Sequence, residues 1–251
     1  MAYSITQAVI LSAGLGKRLR PLTDNIPKVM VPILGTPLLE HHIRHLKLHG
    51  INEIFINLHY CPEAIQSYFG TGERFGIKIQ YAFEKVILGT AGGIKNFERK
   101  LKDNFFVIYG DVFSLVDYTN QKRAFFEKIK AVGMELIGDT GHPYDSDLVE
   151  VDKNLRFLKI YPKPHTVLPQ KYKSMRSIFI FNKKILKYIP KNVYYEIDHQ
   201  LLPHILNQGE YFYGYECGEY LSDIGTPERL KAVEAYLKKI KNQRPSAGEL
   251  Q

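Results

Sequence analysis

The sequence predicts an α/β fold in which a mostly parallel sheet is covered by helices on both faces. Short apolar segments alternate with amphipathic ones through the first half of the chain, and glycine-rich turns follow several of the apolar segments. Of the 251 residues, 45% are hydrophobic and 24% are charged, as expected for a globular protein with a sizeable core. We therefore expect one continuous domain over residues 1–240 and a polar tail over residues 241–251.

The first half contains the clearest alternation of strands and helices. Gln7–Leu11 is a short, partly β-branched apolar run, which predicts a buried strand. In Pro37–His49 apolar residues recur on one face before Gly50, which predicts a helix with a glycine C-terminal signal. By the same criteria, strands are predicted at Glu53–Leu58, Lys78–Phe83 and Phe105–Tyr109, and helices at Pro62–Gly70, Ala91–Leu101 and Tyr118–Ala131.

The second half is less regular and adds shorter strands to the same Rossmann-like sheet, which is therefore mixed. We expect residues 1–115 and residues 116–240 to form the two halves of this domain. Strands are predicted at Asp147–Val151, Phe157–Tyr161, Ser177–Phe181 and Tyr211–Tyr215, and helices at Lys183–Tyr188, His199–Asn207 and Pro227–Ile240.

A glycine turn with clustered cations follows the first strand, in the segment LSAGLGKRLRPLTDNIPK (residues 11–28). Glycine lets a ligand approach the main-chain N–H groups closely, and the cations favour an anion. The spacing fits neither the P-loop nor the dinucleotide fingerprint, since the position for the third glycine of the latter is Leu19. Alone, the turn is equally well explained as a tight strand-to-helix connection with surface cations.

Three further features follow predicted strands, where ligands bind in open α/β sheets. A second small-residue loop lies at Gly89–Gly93, Asp111 follows the apolar strand Phe105–Tyr109, and Asp223 precedes the last helix. Taken singly, they are explained by a close-packing turn, a turn cap and a helix cap. Together they predict two backbone cradles for a nucleotide and two carboxylates able to share Mg²⁺, which binds through few protein ligands.

The net charge of +8 favours polyanionic partners without choosing among them. The basic residues form no long run or aromatic repeat, which leaves RNA binding as a weak alternative, testable by its steep salt dependence. No segment resembles a membrane span or a secretion signal, and the two cysteines have no metal-ligand spacing. We expect a cytoplasmic protein that binds neither membrane nor nucleic acid.

The first glycine motif, extended to LSAGLGKRLRPLTDNIPKVMVPILGTPLLEH, resembles the signature of the sugar-1-phosphate nucleotidyltransferases. The resemblance continues in order through LGTAGG, YGDVF, YPKP and YLSDIGTPERL and so covers nearly the whole chain. It implies a fold of the nucleotide-diphospho-sugar transferase type, with a nucleotide-binding half over residues 1–115 and a sugar-binding half over residues 116–240. It also implies an enzyme that joins a nucleoside triphosphate to a sugar 1-phosphate and releases pyrophosphate, and it leaves a homo-oligomer open.

The resemblance also assigns roles to residues. Arg18 would neutralise the leaving pyrophosphate, Lys28 would steady the α-phosphate, and Asp111 and Asp223 would bind Mg²⁺. The sugar phosphate and sugar would meet Gly110, Lys163 and Asp198, although a helix-start role for Asp198 is equally plausible. The nucleotide would contact residues of both glycine loops and one glutamate, namely Leu11, Ser12, Ala13, Gly14, Gly16, Lys17, Arg18, Glu84, Gly89 and Thr90.

The chain departs from the common family pattern on the sugar side. Pro162-Lys163-Pro164 lacks a glutamate that often precedes the lysine, and Met175-Arg176-Ser177 stands where an Asn-x-Gly is usual. LGTAGG and residues 141–152 look like guanylyltransferases acting on mannose 1-phosphate or D-glycero-D-manno-heptose 1-phosphate. Residues 70–81 look more like an N-acetylmuramate 1-phosphate uridylyltransferase. We expect GTP with a manno-configured sugar, with UTP or another triphosphate, or a non-catalytic nucleotide-sugar-binding regulator, as alternatives.

Overall fold

The computed structural model describes residues 4–243, so residues 244–251 of the predicted tail lie outside the described part of the chain. The α/β prediction is confirmed: helices cover a nine-stranded mixed sheet, and two small two-stranded sheets accompany it. The strands are β1 (Gln7–Leu11), β2 (Pro32–Ile33), β3 (Thr36–Pro37), β4 (Glu53–Leu58), β5 (Lys78–Phe83), β6 (Asn104–Tyr109), β7 (Val112–Ser114), β8 (Ala131–Gly138), β9 (Leu148–Val151), β10 (Phe157–Tyr161), β11 (Lys173–Asn182), β12 (Tyr211–Glu216) and β13 (Leu221–Asp223). The α-helices are α1 (Leu38–Leu48), α2 (Pro62–Phe69), α3 (Gly89–Lys95), α4 (Tyr118–Glu127), α5 (Leu202–Asn207) and α6 (Pro227–Gln243).

The strand pairing in the main sheet changes from parallel to mostly antiparallel across its width. β1 pairs in parallel with β4 and β6, and β4 pairs in parallel with β5. Beyond β6, the long strand β11 runs antiparallel to β6, β8 and β9. Because β1 and β6 are parallel, with Leu11 opposite Tyr109, the loops that follow them open at the same edge of the sheet.

The core lies on both faces of this sheet because successive strand residues point to opposite sides. In β1, Ala8 and Ile10 belong to the apolar cluster shared with α1, α2 and α4, whereas Val9 belongs to the cluster shared with α3 and α5. A smaller apolar cluster that includes Phe113, Ile224 and Val233 anchors β7, β13 and α6. The cleft loops are thus held from both faces of the sheet. None of the helices within residues 4–243 has the length and apolarity needed to cross a membrane.

One strand of the main sheet, β8, is missing from the sequence prediction, as are the short strands of the two small sheets, β2, β3, β7 and β13. The helix predicted over Tyr118–Ala131 is too long, because α4 ends at Glu127 and Ala131–Gly138 forms β8. Lys130 has a φ of 62° and turns the chain between the two elements. β8 is buried between β11 and β12, so its apolar residues give no alternating pattern.

The other differences concern element ends. The predicted helix Ala91–Leu101 is α3, which begins at Gly89 and ends at Lys95. The predicted helix Lys183–Tyr188 is a 3₁₀ helix, and the one predicted from His199 begins with a π turn at Ile197–Leu201. α6 continues to Gln243, so residues 241–243 belong to the helix and not to the predicted tail.

Candidate active site

A cleft opens where β1 and β6 end, and it contains a cavity of about 260 Å³. Most of its wall comes from the loops that follow parallel strands, as expected for an open α/β sheet. The lining residues are Leu11, Ser12, Ala13, Gly14, Lys28, Val29, Asn57, Ile87, Gly89, Thr90, Tyr109, Asp111, Tyr194 and Glu196. The structure therefore brings the two glycine loops, Lys28 and Asp111 to one cavity.

The first glycine loop offers unused polar groups to this cavity. The Ser12 hydroxyl is buried and has no hydrogen-bond partner within residues 4–243, while its main-chain N–H donates to Asn57 Oδ1 at 2.7 Å. A Cβ at Gly14 would meet nothing within 4 Å, so the main chain there is open to a ligand. Gly16 has a φ of 62°, and a Cβ there would lie 3.2 Å from Lys28 Cβ and from Thr23, so it turns the loop tightly.

The exposed cations of this loop lie outside the cavity wall. Lys17 and Arg18 belong to the 3₁₀ turn Lys17–Leu19 and are exposed. The guanidinium of Arg18 lies beside Gly225, because a Cβ at Gly225 would come within 3.3 Å of Arg18 Nη2 and 2.5 Å of Asp223 Oδ1. The sequence prediction that Arg18 serves the nucleotide stays a prediction, and its position is next to the turn that carries Asp223.

Asp111 and Asp223 are brought together by a β-ribbon and not, as the sequence suggested, by the ends of two strands of the main sheet. The predicted strand Tyr211–Tyr215 is β12, which ends at Glu216 without reaching Asp223, and Asp223 lies in the separate strand β13. β13 pairs with β7, which places Asp223 opposite Val112. The N–H of Ile224 also donates to the Asp111 carbonyl at 2.9 Å.

Each of these carboxylates faces a cation. Lys28 Nζ contacts Asp111 Oδ2 at 2.5 Å. Arg229 Nη1 contacts both carboxylate oxygens of Asp223, at 2.9 and 2.8 Å. Burial alone would raise the pKa of Asp223, but hydrogen bonds from Arg229 and the Gly225 N–H, with the charges of Arg229 and Lys28, lower it. Asp223 is therefore an anion that is stabilised by the charge of Lys28 as well as by its own partner, Arg229.

The helix-cap explanation of Asp223 is wrong. The first turn of α6 is capped by Thr226, whose Oγ1 accepts from the Arg229 N–H at 3.4 Å, while Asp223 Oδ1 accepts from the Gly225 N–H at 2.8 Å. Within residues 4–243, no group of three or more His, Cys, Asp or Glu side chains could hold a metal ion. Two carboxylates with substrate phosphate oxygens and water would still suit Mg²⁺, so the oxygen donors present fit that ion.

Asp111 is also fixed through its own backbone. The Gly110 carbonyl accepts from His42 Nε2 at 3.2 Å, and because a carbonyl only accepts, Nε2 carries the hydrogen. Burial lowers the pKa of His42 to about 4, although the bond to Gly110 acts in the other direction. A Cβ at Gly110 would lie 2.7 Å from the Leu11 carbonyl. Glycine at 110 thus permits β1 and β6 to meet closely at the cleft.

The second glycine loop is not the free cradle of amides that the sequence suggested. The Tyr195 carbonyl accepts from the N–H groups of Ala91 and Gly92 at 2.9 and 3.0 Å. A Cβ at Gly89 would lie 2.7 Å from that same carbonyl, and Gly89 has a φ of 74°. The close-packing explanation therefore holds for most of this loop, while Gly89 and Thr90 still line the cavity.

Glu84 connects the two glycine loops from behind. It is only 2% exposed and is not in the cavity wall. Its carboxylate accepts from Asn57 Nδ2 at 2.8 Å and from the Leu88 N–H at 3.0 Å. Asn57 in turn holds Ser12. The one sequence signal for Asn57 is a polar residue inside the apolar run of β4.

The C-terminal half adds a group of polar side chains next to the cleft. Asp198 Oδ2 accepts from the Tyr109 hydroxyl at 2.6 Å. Burial and the charge of Asp147 raise the pKa of Asp198 to about 6, despite the bond from Tyr109. Lys163 Nζ lies 2.9 Å from Asp147 Oδ2. Lys163 and Asp198 are thus within electrostatic reach of each other and of Asp147, and neither lines the cavity.

Glu135, on β8, is a functional candidate that sequence reasoning missed. Its Oε1 accepts from the N–H groups of Arg176 and Ser177 at 3.1 and 3.0 Å. Its Oε2 is buried without a partner in the described chain. Burial and the charge of Asp198 raise the pKa of Glu135 well above its ordinary value. Ser177 has a φ of 60°, the left-handed conformation that glycine adopts most easily.

The fold and cleft define an α/β protein whose sheet edge gathers open main-chain amides, cations and carboxylates, as a nucleotide-phosphate site requires. The chain belongs to the nucleotidyl transferase family, whose model matches residues 7–240. This confirms the family resemblance found in the sequence.

The proteins similar to this chain are named for several different substrates. A UTP–glucose-1-phosphate uridylyltransferase from Synechocystis is 34% identical over 94% of the chain and 65% of its own length. A mannose-1-phosphate guanylyltransferase from Mycobacterium tuberculosis is 32% identical over 91% and 63%. A heptose 1-phosphate guanylyltransferase from Aneurinibacillus thermoaerophilus is 29% identical over 92% and 98%. The chain thus spans slightly less than two thirds of the first two relatives.

Solved structures support the fold. HddC from Yersinia pseudotuberculosis superposes with a TM-score of 0.77 at 24% identity, covering 93% of this chain and all of HddC. A UDP-glucose pyrophosphorylase complexed with UDP-glucose gives a TM-score of 0.80 at 19% identity, over 94% and 100% of the two chains. At these identities the likeness concerns the fold alone.

Proposed function

We propose that this protein transfers a nucleotidyl group from a nucleoside triphosphate to a sugar 1-phosphate, with GTP and a manno-configured sugar 1-phosphate as its pair. The sugar would be mannose 1-phosphate or D-glycero-D-manno-heptose 1-phosphate. UTP with another sugar 1-phosphate is the alternative within the class, since the relatives include both uridylyl- and guanylyltransferases.

The observation that supports the proposal most is the shared cavity wall of Ser12, Gly14, Lys28 and Asp111. Phosphoryl chemistry needs positioning and charge neutralisation more than a covalent nucleophile. An open main chain, an unpartnered hydroxyl, an ammonium and a carboxylate meet those needs. Residues 1–115 would bind the nucleotide, and residues 116–240 would bind the sugar.

In the proposed reaction, a phosphate oxygen of the sugar 1-phosphate attacks the α-phosphorus, and the bond from the α-phosphorus to the leaving pyrophosphate breaks. The main chain at Ser12–Gly14 holds the nucleotide, with Gly16, Lys17, Gly89 and Thr90 beside it, while Lys28 meets the charge that develops on the α-phosphoryl group. Arg18 neutralises pyrophosphate, and Lys163 holds the phosphate of the sugar. Asp198 accepts from a sugar hydroxyl.

Nucleotidyltransferases of this family generally use a divalent metal, and Mg²⁺ is the ion we propose. Asp111 and Asp223 would hold it, and it would neutralise phosphate charge when bound. Lys28 and Arg229 balance the two carboxylates within the chain itself. We also expect the enzyme to act in the cytoplasm, on small-molecule substrates only.

The test is pyrophosphate release from a panel of triphosphates and sugar 1-phosphates, read also by product mass. We expect release with GTP and a manno-configured sugar 1-phosphate, and the mass would fix base and sugar together. Release with UTP and a glucose-type sugar would favour the alternative pair. No release from any pair, with retained binding of nucleotide sugars, would favour a non-catalytic regulator.

A further inference from the structure

Asp147 joins several separate segments of the C-terminal half. It precedes β9 and is 8% exposed. Its Oδ1 accepts from the Lys163 N–H at 3.1 Å and contacts His199 Nε2 at 2.9 Å, while its Oδ2 lies 2.9 Å from Lys163 Nζ. Its carbonyl accepts from the Met175 N–H at 2.9 Å. One carboxylate therefore holds both the main chain and the ammonium of Lys163.

The ammonium of Lys163 remains available to a ligand. Its side chain is 48% exposed, and only one of its three hydrogens is needed by Asp147. Burial opposes its charge, but Asp147, and more weakly Asp198 and Asp111, together raise the pKa of Lys163. The ammonium therefore lies within electrostatic reach of both Asp198 and the cleft carboxylate Asp111.

His199 extends this arrangement to the cavity wall. While Nε2 meets Asp147, Nδ1 lies 3.4 Å from Glu196 Oε2, and Glu196 lines the cavity. Tyr194, also in the wall, donates its hydroxyl to Glu196 Oε1 at 2.8 Å. A continuous polar chain thus runs from the cavity through Glu196, His199 and Asp147 to Lys163.

A free lysine side chain samples many rotamers, and the loss of this rotamer entropy opposes fixing it. A lysine already fixed before the substrate arrives loses less entropy on binding, which raises affinity. The two contacts of Asp147 to Lys163 provide this fixing through the main chain and the side chain together.

We propose that Asp147, steadied by His199, is a positioning residue that holds Lys163 ready for the phosphate of the sugar 1-phosphate. This inference rests on the proposed function, in which Lys163 binds that phosphate. A merely structural Asp147, which only ties β9 to β11 and to the segment of Lys163, would affect both substrates alike.

The experiment measures KM for both substrates in Asp147→Asn, Lys163→Gln and the double variant, with the best substrate pair of the wild type. We expect Asp147→Asn to raise KM for the sugar 1-phosphate about tenfold, with KM for the triphosphate within about twofold, a change under 0.5 kcal/mol. In the Lys163→Gln background, Asp147→Asn should add nothing, since coupled residues are non-additive. Asp139→Asn, the same change at a 92% exposed side chain, is the matched control.

Additive effects of the two substitutions, or equal rises in both KM values, would overturn the inference. If Asp147→Asn does not fold, His199→Gln replaces it, with a smaller rise in the same KM that disappears in the Lys163→Gln background. If the wild type turns over no pair, the proposed function fails by itself. Calorimetric titration of inorganic phosphate into the wild type and the same variants then decides the inference, because equal affinities would refute it.

Discussion

The two halves of the molecule build their polar sites differently. In residues 4–115, the cleft is formed mainly by residues at the ends of parallel strands and in the turns after them, with Lys28 and Asp111 as its charged side chains. In residues 116–243, the polar groups are buried side chains such as Glu135 and Asp147, which bond to distant segments. In the proposed function, the first arrangement presents charge to a phosphate, and the second holds the side chains that would meet the sugar 1-phosphate. Substitutions in the first half should therefore reduce rate, and those in the second should change substrate preference and stability.

The largest effect is expected where the halves meet, at Asp111 and Asp223. Asp→Asn at either position should reduce turnover by about a thousandfold while the fold survives, because a catalytic metal supplies several kcal/mol. Turnover against Mg²⁺ concentration measures this, and excess Mg²⁺ should restore activity only in part. Asp145→Asn removes the other carboxylate near Arg229, 3.7 Å from its Nη2, and serves as the control. A fully active Asp223→Asn enzyme at low Mg²⁺ would leave Asp111 as the one protein carboxylate on the metal.

The next effect tests the first half alone. Lys28→Ala should lower the rate at saturating substrate by about a hundredfold to a thousandfold, with little loss of triphosphate affinity. The reason is that Lys28 lies in the cavity wall against Asp111, where charge would grow during transfer. Single-turnover rates and triphosphate titration separate the two quantities. Lys153→Ala, in the exposed turn between β9 and β10, is the control, and an unchanged rate in Lys28→Ala would remove Lys28 from the mechanism.

A smaller effect concerns sugar preference in the second half. Met175→Asn with Ser177→Gly should shift preference among sugar 1-phosphates and leave triphosphate preference alone, as measured by kcat/KM across both panels. Ser177→Gly alone should also stabilise the fold by about 1 kcal/mol, since Ser177 has a φ of 60° that glycine adopts without strain. A change in base preference would mean that β11 serves the nucleotide and not the sugar.

The smallest effect is a pH dependence of stability from Glu135. Its pKa in the folded protein is raised by burial and by the charge of Asp198, so its contribution to stability is complete below its unfolded pKa, near 4.3, and falls as pH rises. Glu135→Gln should therefore gain stability over the wild type as pH rises from about 5 to 8, by about 1 kcal/mol or more. Urea unfolding at both values measures this gain. A pH-independent difference between Glu135→Gln and the wild type would contradict the argument.

Much of the N-terminal cleft is predictable because its determinants are local in sequence. The apolar run of β1 and the glycines that follow it fix a strand and a turn, and parallel pairing brings that turn to the edge where β6 ends at Tyr109. The prediction of Lys28 and Asp111 at one site needs only this rule and the family resemblance. The same local reasoning failed for Gly89–Gly93, because the group that occupies its amides, the Tyr195 carbonyl, lies about a hundred residues further along the chain.

Sequence by itself determined the order of most strands and helices, since hydrophobic periodicity and glycine stops act over a few residues. It also determined which residue types could bind a phosphate. Tertiary structure alone decided that β8 is a central strand, that a ribbon carries Asp223 to Asp111, and that Glu135 and Asp147 are buried. The physical reason is that a buried carboxylate persists only where donors from distant segments converge on it. No short stretch of the sequence therefore predicts where such donors meet.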